Sequence, residues 1–299
     1  MSKQQIVLVT GATSGIGRHA ALYLAGRGHR VIATGRRADA LAELQREAAE
    51  LPMSTLELDV TDDASIAAAR REVLSRTGGH GIDALINNAG FGHAGPMSEV
   101  SDTDLRAQFD TNVFGLMAVT RAFLPEMRER RAGRVVNVSS VGGRLTLPFF
   151  GAYNATKYAV ESMSDALRWE LRPFGIRVVL VEPGIIRTNF TPRSLDIVER
   201  YGAAGQPYAA AVAAFASTTR KSDRFAVSPR SVARAMARAI ERRRPAARYI
   251  APFRTRIMLR AYQILPTRLT DWAFRRTSGL TAANVLPAPA ARPLLESPR

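Results

Sequence analysis

Three side chains in the middle of the sequence have the types and spacing needed for proton transfer to or from a carbonyl oxygen. Tyr153 and Lys157 are four residues apart, so on a helix they share a face and point into one site. A free phenol has a pKa near ~10, and a neighbouring ammonium lowers that pKa and makes the phenol usable for proton transfer. Ser140 lies shortly before Tyr153, and its hydroxyl can hydrogen-bond to the substrate oxygen. Without Ser140, the Tyr-x-x-x-Lys pair would be read as an exposed helix pair, and the adjacent Ser139 is the alternative serine.

A glycine-rich segment near the start of the chain has the pattern of a phosphate-binding turn. Residues 10–17 read TGATSGIG and lie between an apolar strand-like run and a helical run. Glycines permit a tight turn, and the N-terminus of the following helix presents free N–H groups to a pyrophosphate. The spacing is GxxxGxG, and by itself it is also compatible with an ordinary strand-to-helix turn. The residues expected to bind a dinucleotide here are Gly11, Ser14, Gly15, Ile16 and Gly17.

Two arginines follow the second strand-like run, where the nucleotide ribose of such a cofactor would lie. An NAD enzyme usually has a carboxylate at this point to bind the ribose 2′-hydroxyl. Arg36 and Arg37 instead offer guanidinium groups that suit a 2′-phosphate, which favours NADP(H) over NAD(H). A solvated pair that opens a helix is the alternative. Asp59 and Val60 follow the third run, and Asp59 can accept a hydrogen bond from the adenine amine.

Short apolar runs rich in Val and Ile alternate with helical stretches along the first 250 residues. The predicted strands are Ile6–Val9, Val31–Thr34, Thr55–Leu58, Ala84–Ile86, Arg134–Val138, Arg177–Val181 and 249–250. The predicted helices include Ile16–Gly28, Ala38–Glu50 and Thr103–Arg130. This alternation predicts an α/β fold, a Rossmann-type doubly wound parallel sheet in a single domain, residues 1–251. Ligands of such sheets bind at the carboxyl ends of the strands.

The positive charge of the chain is concentrated near its end. The net charge is +16, from 42 Lys and Arg against 26 Asp and Glu. Residues 220–299 hold 18 basic and 4 acidic residues, so a net of +14 belongs to this part and only +2 to the rest. Cysteine is absent, which excludes disulfides and thiolate metal sites, and no metal site is expected. No signal peptide or membrane-spanning run is expected, and the predicted location is cytoplasmic.

The regular alternation of strands and helices ends after residue 184. Residues 185–228 are predicted to form a substrate loop or lid, and a helix follows from residue 228 to about 243. Residues 252–299 form a basic C-terminal extension with a Pro- and Ala-rich end that is expected to be disordered. Within it, Phe253 to Leu265 can be drawn as a basic amphipathic helix. Residues 252–276 are therefore either a membrane-surface anchor or a helical segment that packs on the domain or on a partner subunit.

The order of these motifs resembles the classical short-chain dehydrogenase/reductase family. The resemblance extends from Val7 to about Thr188 and includes TGxxxGIG, YxxxK at 153–157, and the sequence NNAG at 87–90. It implies that Tyr153 is the general acid in reduction and the base in oxidation, and that Lys157 holds the nicotinamide ribose and lowers the tyrosine pKa. Ser140 would polarise the carbonyl, and Asn112 would fix a water that links Lys157 to solvent. Further cofactor contacts implied by the resemblance are Asn88, Ala89, Gly90, Pro183, Gly184, Ile186 and Thr188.

The resemblance also suggests a substrate class and an assembly. The residues 121–125 and the Glu-Pro-Gly at 182–184 are similar to the hydroxysteroid and retinol dehydrogenase-like branch. Apolar candidates for the pocket wall favour a lipophilic carbonyl or alcohol over a sugar, although each is equally compatible with a place in the core. These candidates are Leu145, Leu147, Pro148, Phe149, Phe150 and Phe190. Family resemblance suggests a dimer or tetramer through helices around 103–131 and 152–172.

Two functions other than that of an oxidoreductase are compatible with parts of the sequence. A dinucleotide-binding sensor or scaffold would need only the cofactor half of the site, so the complete set of Asn112, Ser140, Tyr153 and Lys157 argues against it. Nucleic-acid binding has only the basic extension in its favour, and charge alone predicts weak, salt-dependent association without specificity. His93, just after the NNAG segment, has no assigned role because a lone loop histidine is more often a pocket wall or a surface residue.

Overall fold

A seven-stranded, fully parallel sheet forms the centre of the protein in a computed structural model that describes residues 4–285. The strand order is β3-β2-β1-β4-β5-β6-β7, so the direction of winding reverses between β1 and β4. The predicted Rossmann-type fold is therefore confirmed. The strands are β1 (Ile6–Val9), β2 (Arg30–Gly35), β3 (Met53–Glu57), β4 (Ala84–Asn87), β5 (Gly133–Val138), β6 (Ile176–Pro183) and β7 (Arg248–Ala251).

Helices cover both faces of the sheet because successive strand residues point to opposite sides. In β1, Val7 and Val9 face one helical layer and Leu8 faces the other, and all three are fully buried. The first layer contains α1 (Gly15–Ala25), α2 (Ala38–Glu47) and α9 (Arg230–Glu241). The second layer contains α3 (Asp63–Arg76), α5 (Leu116–Glu129) and α6 (Gly151–Glu170).

The single helix predicted over residues 103–130 is interrupted. The structure has α4 (Asp102–Phe109), a π-helical segment (Asp110–Gly115) and then α5. A π turn widens the helix by one residue and occurs frequently at functional sites. At Gly115 there is no room for a Cβ, which would meet the carbonyl oxygens of Val60 and Asp110. Hydrophobic periodicity cannot reveal such an insertion, since the apolar face continues through it.

The segment 185–228 is more ordered than its loop-like composition predicts. It contains two helices, α7 (Phe190–Val198) and α8 (Ala209–Ser222), which we call the lid helices. Alanine is the best helix former, and the Ala-rich start of α8 outweighs the glycines and proline just before it. Val198, Val212 and Phe215 of the two helices pack in one apolar cluster with Phe149.

Two further helices follow β7 in the basic C-terminal extension. They are α10 (Phe253–Ile264) and α11 (Thr267–Thr277). Among the helices described between residues 4 and 285, none has the length and apolar character needed to cross a bilayer. The expected disorder of the Pro- and Ala-rich end concerns residues 286–299, which lie outside the described residues.

Candidate active site

The glycine-rich turn after β1 forms a cradle in which glycines occupy the positions where a side chain would not fit. Gly11 and Gly15 have φ values of 63° and 55°, in the left-handed region that favours glycine. A Cβ at Gly17 would collide with the Gly11 carbonyl and with the Asn88 amide. Ser14 caps α1 without a side-chain hydrogen bond, and the first turn carries no acid. The first N–H groups of α1 are thus left for an anionic ligand, which fits the pyrophosphate of a dinucleotide.

The loop after β4 holds this turn in place. Thr10 Oγ1 accepts hydrogen bonds from the backbone N–H groups of Asn88 and Ala89, at 2.9 and 3.0 Å. The Asn88 amide donates in turn to the carbonyl oxygens of Thr10 and Gly11, at 3.0 and 3.1 Å. These bonds join the ends of β1 and β4 at the point where the strand order reverses. The glycine-rich turn and the NNAG segment, which are both predicted to bind the cofactor, therefore lie side by side. At Gly90, a Cβ would press against Asn112 Oδ1.

The arginine pair after β2 is open to solvent at the same edge. The side chains of Arg36 and Arg37 are each 69% exposed. Arg36 Nη1 lies 3.9 Å from Asp59 Oδ2, and Arg37 Nε lies 3.7 Å from Asp39 Oδ1. Exposed ion pairs this long are weak, so both guanidinium groups are available to an added phosphate. Val60, next to Asp59, is buried in the core instead.

Tyr153 and Ser140 meet at Gly142. Tyr153 lies in the first turn of α6. Ser140 follows β5 by two residues, and its Oγ accepts a hydrogen bond from the Gly142 N–H at 3.0 Å. A Cβ at Gly142 would lie 3.4 Å from Ser140 Oγ and 3.4 Å from the Tyr153 ring. The neighbouring Ser139 Oγ is buried instead beside Gly143 and the Glu161 side chain. Of the two serines, Ser140 is therefore the one that faces the tyrosine.

Lys157 follows Tyr153 by one turn of α6 and is buried below it. Its Nζ donates to the Val138 carbonyl at 2.8 Å and lies 5.8 Å from the centre of the Tyr153 ring. Burial lowers the pKa of Lys157 to about 8, against the opposing effect of the Glu161 carboxylate. The ammonium is thus held close to its titration point.

The pKa of Tyr153 moves in the opposite direction from the one that the sequence predicts. A lowering by Lys157 is expected, yet burial raises the pKa of Tyr153 to about 12, and a hydrogen bond with Ser140 offsets only part of this effect. Burial dominates because a phenolate in an apolar wall loses its hydration. The phenol is therefore protonated at neutral pH, which suits a proton donor.

Asn112 lies in the π-helical segment and ties three elements together. Its Oδ1 accepts from the Phe91 N–H at 3.1 Å, and its Nδ2 donates to the Phe91 carbonyl at 2.9 Å. The same amide donates to Thr156 Oγ1 on α6 at 3.1 Å, next to Lys157. The side chain thus joins the loop after β4 to α6, while its predicted part in a proton relay stays a prediction.

The segment after β6 closes over the cofactor side of the site. The Gly184 N–H donates to the Ala251 carbonyl at 2.8 Å, and Ile186 forms an isolated bridge with Val227. Thr188 lies directly above the glycine turn, since a Cβ at Gly15 would touch its side chain at 3.5 Å. Of the four residues that the resemblance names here, Thr188 contacts the cradle, and the cofactor contacts of Pro183, Gly184, Ile186 and Thr188 stay predictions.

Aromatic side chains wall the other side of Tyr153. The Phe190 ring of the lid helices lies 5.2 Å from the Tyr153 ring, and Phe150 lies 6.1 Å from it. Phe149 has φ of 63°, a conformation that costs on the order of 1–3 kcal/mol, and its ring packs 4.9 Å from Phe215. Of the six predicted wall residues, Phe150 and Phe190 contact the tyrosine ring, while Leu145 and Phe149 are buried.

His93 connects the loop after β4 to the short segment between the two lid helices. Its Nε2 lies 3.2 Å from the Tyr201 hydroxyl, and its backbone N–H donates to Gln108 Oε1. Burial lowers the pKa of His93, so the ring is neutral near pH 7. The histidine thus contacts the lid rather than the reacting groups.

A buried charged cluster below Lys157 is absent from the sequence-based predictions. Arg248 Nε, on β7, lies 3.1 Å from Glu161 Oε2 and 3.2 Å from Glu182 Oε1. Burial raises the pKa of both carboxyls, that of Glu182 to about 7. The four-residue spacing of Lys157 and Glu161 was a usable signal, whereas the pairing with Arg248 depends on the sheet order.

Comparisons with known proteins agree with this geometry. The short chain dehydrogenase family model matches residues 5–196. A 3-ketodihydrosphingosine reductase from Bacteroides thetaiotaomicron is 34% identical over 279 residues, which cover 91% of this chain and 97% of that protein. A variant of actinorhodin polyketide ketoreductase solved with NADPH is 31% identical, with a TM-score of 0.70, covering 84% of this chain and 97% of its own. A short-chain dehydrogenase/reductase from Burkholderia phymatum in complex with NAD is 28% identical, with a TM-score of 0.75, covering 89% and 97%. This chain belongs to the short-chain dehydrogenase/reductase family, whose members are oxidoreductases that bind NAD or NADP.

Proposed function

We propose that the protein interconverts a lipophilic ketone or aldehyde and its alcohol with NADP(H) as the hydride carrier. The observation that carries this proposal is the meeting of Tyr153 and Ser140 at Gly142, with Lys157 below them and the glycine cradle beside them. When bound, the nicotinamide supplies or accepts the hydride at the carbonyl carbon. Tyr153 donates its hydroxyl proton to the carbonyl oxygen in reduction and takes it back in oxidation.

Ser140 and Lys157 support this proton transfer in different ways. The Ser140 hydroxyl donates a hydrogen bond to the substrate oxygen, which stabilises the negative charge that develops there as hydride arrives. The buried Lys157 ammonium holds the nicotinamide ribose and favours the phenolate that remains on Tyr153 after the proton has left. Asn112 positions Lys157 through Thr156 and would hold the water that returns a proton from solvent.

The preference for NADP(H) rests on the charge after β2. Arg36 and Arg37 are exposed, and the nearest carboxylates, Asp59 and Asp39, are no closer than 3.7 Å to them. A 2′-phosphate would therefore find two guanidinium partners, whereas the uncharged ribose hydroxyls of NAD(H) would gain no charge pairing with them. The structural relatives named above include both an NADPH complex and an NAD complex, so the choice rests on this chain's own residues.

The lipophilic class of substrate is supported by the wall around Tyr153. Phe150 and Phe190 flank the phenol, and Phe149 and Phe215 lie behind them. Aromatic walls with few polar groups favour long or cyclic hydrocarbon substrates over sugars. The relative from Bacteroides thetaiotaomicron carries the name 3-ketodihydrosphingosine reductase, in keeping with this class.

Assembly into a dimer or tetramer is proposed through the helices around 103–131 and 152–172. Three large side chains on these helices are exposed in the single chain: Phe114, Tyr158 and Trp169. Apolar groups that project from packed helices are typical of subunit contacts. Sedimentation of the wild type against Trp169→Glu would show whether this face joins subunits.

The decisive experiment compares Tyr153→Phe with Tyr158→Phe, a tyrosine on the exposed face of the same helix. Steady-state assays would use NADPH and NADH in parallel with steroid, retinoid and long-chain ketones. We expect Tyr153→Phe to lower kcat by about 10²- to 10⁴-fold while NADPH affinity is preserved, and Tyr158→Phe to behave as wild type. Turnover that persists in Tyr153→Phe would refute the mechanism. Tight NADPH binding by the wild type with no turnover of any carbonyl would favour a sensor instead.

A further inference from the structure

The C-terminal extension exposes an unusual number of large apolar side chains. In the described part of the chain, seven of the fifteen exposed large hydrophobic residues lie between positions 253 and 272. Phe253 is 70% exposed, Ile264 83% and Trp272 56%. The other four are Ile257, Met258, Leu265 and Leu269. We call the exposed side of α10 and α11 the C-terminal surface.

This surface belongs to a helix pair that is anchored to the domain. The inner side of α10 carries Thr255 and Leu259, which are 7% and 1% exposed. Thr255 packs against Gly184, and α10 is joined to α11 by the rings of Tyr262 and Phe274, 5.9 Å apart. Since one side of the pair is already buried, the exposed apolar residues are a second, separate face.

Positive charge is interleaved with these apolar residues. Six arginines on α10 and α11 are exposed, namely Arg254, Arg256, Arg260, Arg268, Arg275 and Arg276. The only acidic residue on the two helices is Asp271. On α10 the spacing of Phe253, Arg256, Ile257, Arg260 and Ile264 repeats every three to four residues, so both kinds of side chain lie on one side of the helix. A partner for this surface must therefore bring apolar groups and negative charge together.

We propose that the C-terminal surface docks on an anionic lipid bilayer, with α10 and α11 lying in the interface. Phe253, Ile257 and Trp272 would enter the boundary of the acyl chains, and the arginines would pair with lipid phosphates. A second copy of the chain is a poor partner, because a symmetric contact would bring two groups of six arginines together. The surface charge of an anionic leaflet complements both features of this face.

The position of the extension in the fold gives this docking a role in the supply of substrate. That role rests on the proposed function. The extension begins beside Gly184 at the active site and returns to the lid helices, where Gly279 packs on Ala214 and Leu280 joins the cluster of Phe149 and Phe215. Both ends of the stretch from Thr255 to Leu280 therefore contact segments that border the proposed substrate pocket. Docking would bring a lipophilic substrate held in the bilayer close to that pocket.

The test uses the full-length protein and the two tryptophans of the chain, Trp169 and Trp272. The variant Trp169→Phe leaves Trp272 as the single reporter on the C-terminal surface, and Trp272→Phe leaves Trp169 on α6. Each is mixed with vesicles of phosphatidylcholine, with or without roughly one third phosphatidylglycerol. We expect the emission of Trp272 to shift to shorter wavelength with the anionic vesicles only, and the emission of Trp169 to stay unchanged. This readout needs no turnover, so it is independent of the proposed reaction.

Charge-matched variants separate a specific surface from general basicity. In co-sedimentation, Arg256→Gln/Arg260→Gln/Arg268→Gln should lower vesicle affinity on the order of a hundredfold. Arg242→Gln/Arg243→Gln/Arg244→Gln removes the same charge from exposed positions just before β7, at the opposite end of that strand from α10, and should change the affinity by no more than about threefold. Equal losses in both variants, or no shift in Trp272 emission, would overturn the proposal. So would Ile257→Ser/Ile264→Ser if it converted an oligomer to a monomer and left vesicle binding intact.

Discussion

The ring of Phe190 lies over that of Tyr153, with 5.2 Å between their centres, and the Phe190 ring is packed against Gly92. The first residue of the lid helices thus covers the group that would transfer the proton. A substrate must displace this ring or bind beside it, so Phe190 controls both access to Tyr153 and the width of the pocket.

Replacing Phe190 by Ala should widen the pocket and weaken the hold on slender substrates. We expect kcat/KM for a long-chain aliphatic ketone to fall about tenfold, because the ring contributes apolar contact worth on the order of 1–3 kcal/mol. Bulky cyclic ketones should lose less, or gain. The measurement is kcat/KM over a graded ketone series, with Phe225→Ala, an exposed lid residue, as the control. An identical loss for all ketones would contradict a role in pocket width.

The glycine cradle should tolerate no side chain at Gly17. A Cβ there would strike the Gly11 carbonyl and the Asn88 amide, so Gly17→Ala must move the turn that receives the pyrophosphate. We expect NADPH affinity to fall by at least about a hundredfold. Gly26→Ala is the matched control, since Gly26 ends the same helix with an ordinary φ of −64°. Titration of intrinsic fluorescence with NADPH measures both, and near-wild-type affinity in Gly17→Ala would show that the cofactor binds elsewhere.

The two arginines after β2 should account for cofactor choice. In Arg36→Ser/Arg37→Ser, KM for NADPH should rise about 10- to 100-fold, because hydrogen bonds to a charged group contribute about 1.5–3 kcal/mol. KM for NADH should change little, since it has no 2′-phosphate. Arg46→Ser removes an exposed arginine farther along α2 and serves as the control. If KM rose equally for NADPH and NADH, the arginines would not be the groups that recognise the 2′-phosphate.

Glu161 should set the pH range over which Lys157 is charged. Burial lowers the pKa of Lys157 to about 8 and the Glu161 carboxylate opposes this effect, so Glu161→Gln should lower that pKa further. The alkaline limb of kcat/KM for ketone reduction should then move to lower pH. Asp165→Asn, which removes another partner of Arg248 one turn further along α6, should leave the limb in place. Equal shifts in the two variants would indicate that Arg248, and not the lysine, is the sensitive group.

Glu182 should make folding stability depend on pH. Its pKa is raised from the ordinary value of 4.5 to about 7 in the fold, so folding takes up a proton between these two values. The free energy of unfolding that this group contributes is therefore present below pH about 4.5 and is lost as pH rises to about 7. Glu182→Gln should remove this part of the slope. Urea unfolding at several pH values measures it, and parallel pH profiles of wild type and variant would contradict the prediction.

Local sequence patterns were sufficient to predict the central architecture. The runs Ile6–Val9 and Arg134–Val138 fall within observed strands, and the TGATSGIG segment forms the expected turn from β1 to α1. These features depend on side-chain periodicity and on glycine, both of which are visible along the chain. The predicted parallel sheet is confirmed for that reason.

Features that depend on distant contacts were not predictable in this way. The π-helical segment around Asn112 is held by the loop at Phe91, and the ion pairs of Arg248 with Glu161 and Glu182 require β7 to lie beside β6. The rise in the Tyr153 pKa likewise comes from burial under the lid. Each depends on which elements become neighbours, a property that spacing within one element does not contain.

The contact of Leu280 with the lid helices has a thermodynamic consequence. Leu280 of the extension that carries the C-terminal surface packs on the apolar cluster that contains Phe149 and Phe215. A ligand that rearranges the lid helices would therefore change the affinity of the extension for its partner. By reciprocity, that partner would change the affinity of the pocket for the ligand by the same factor. If the C-terminal surface docks as proposed, occupancy of the pocket and occupancy of that surface would be two linked equilibria.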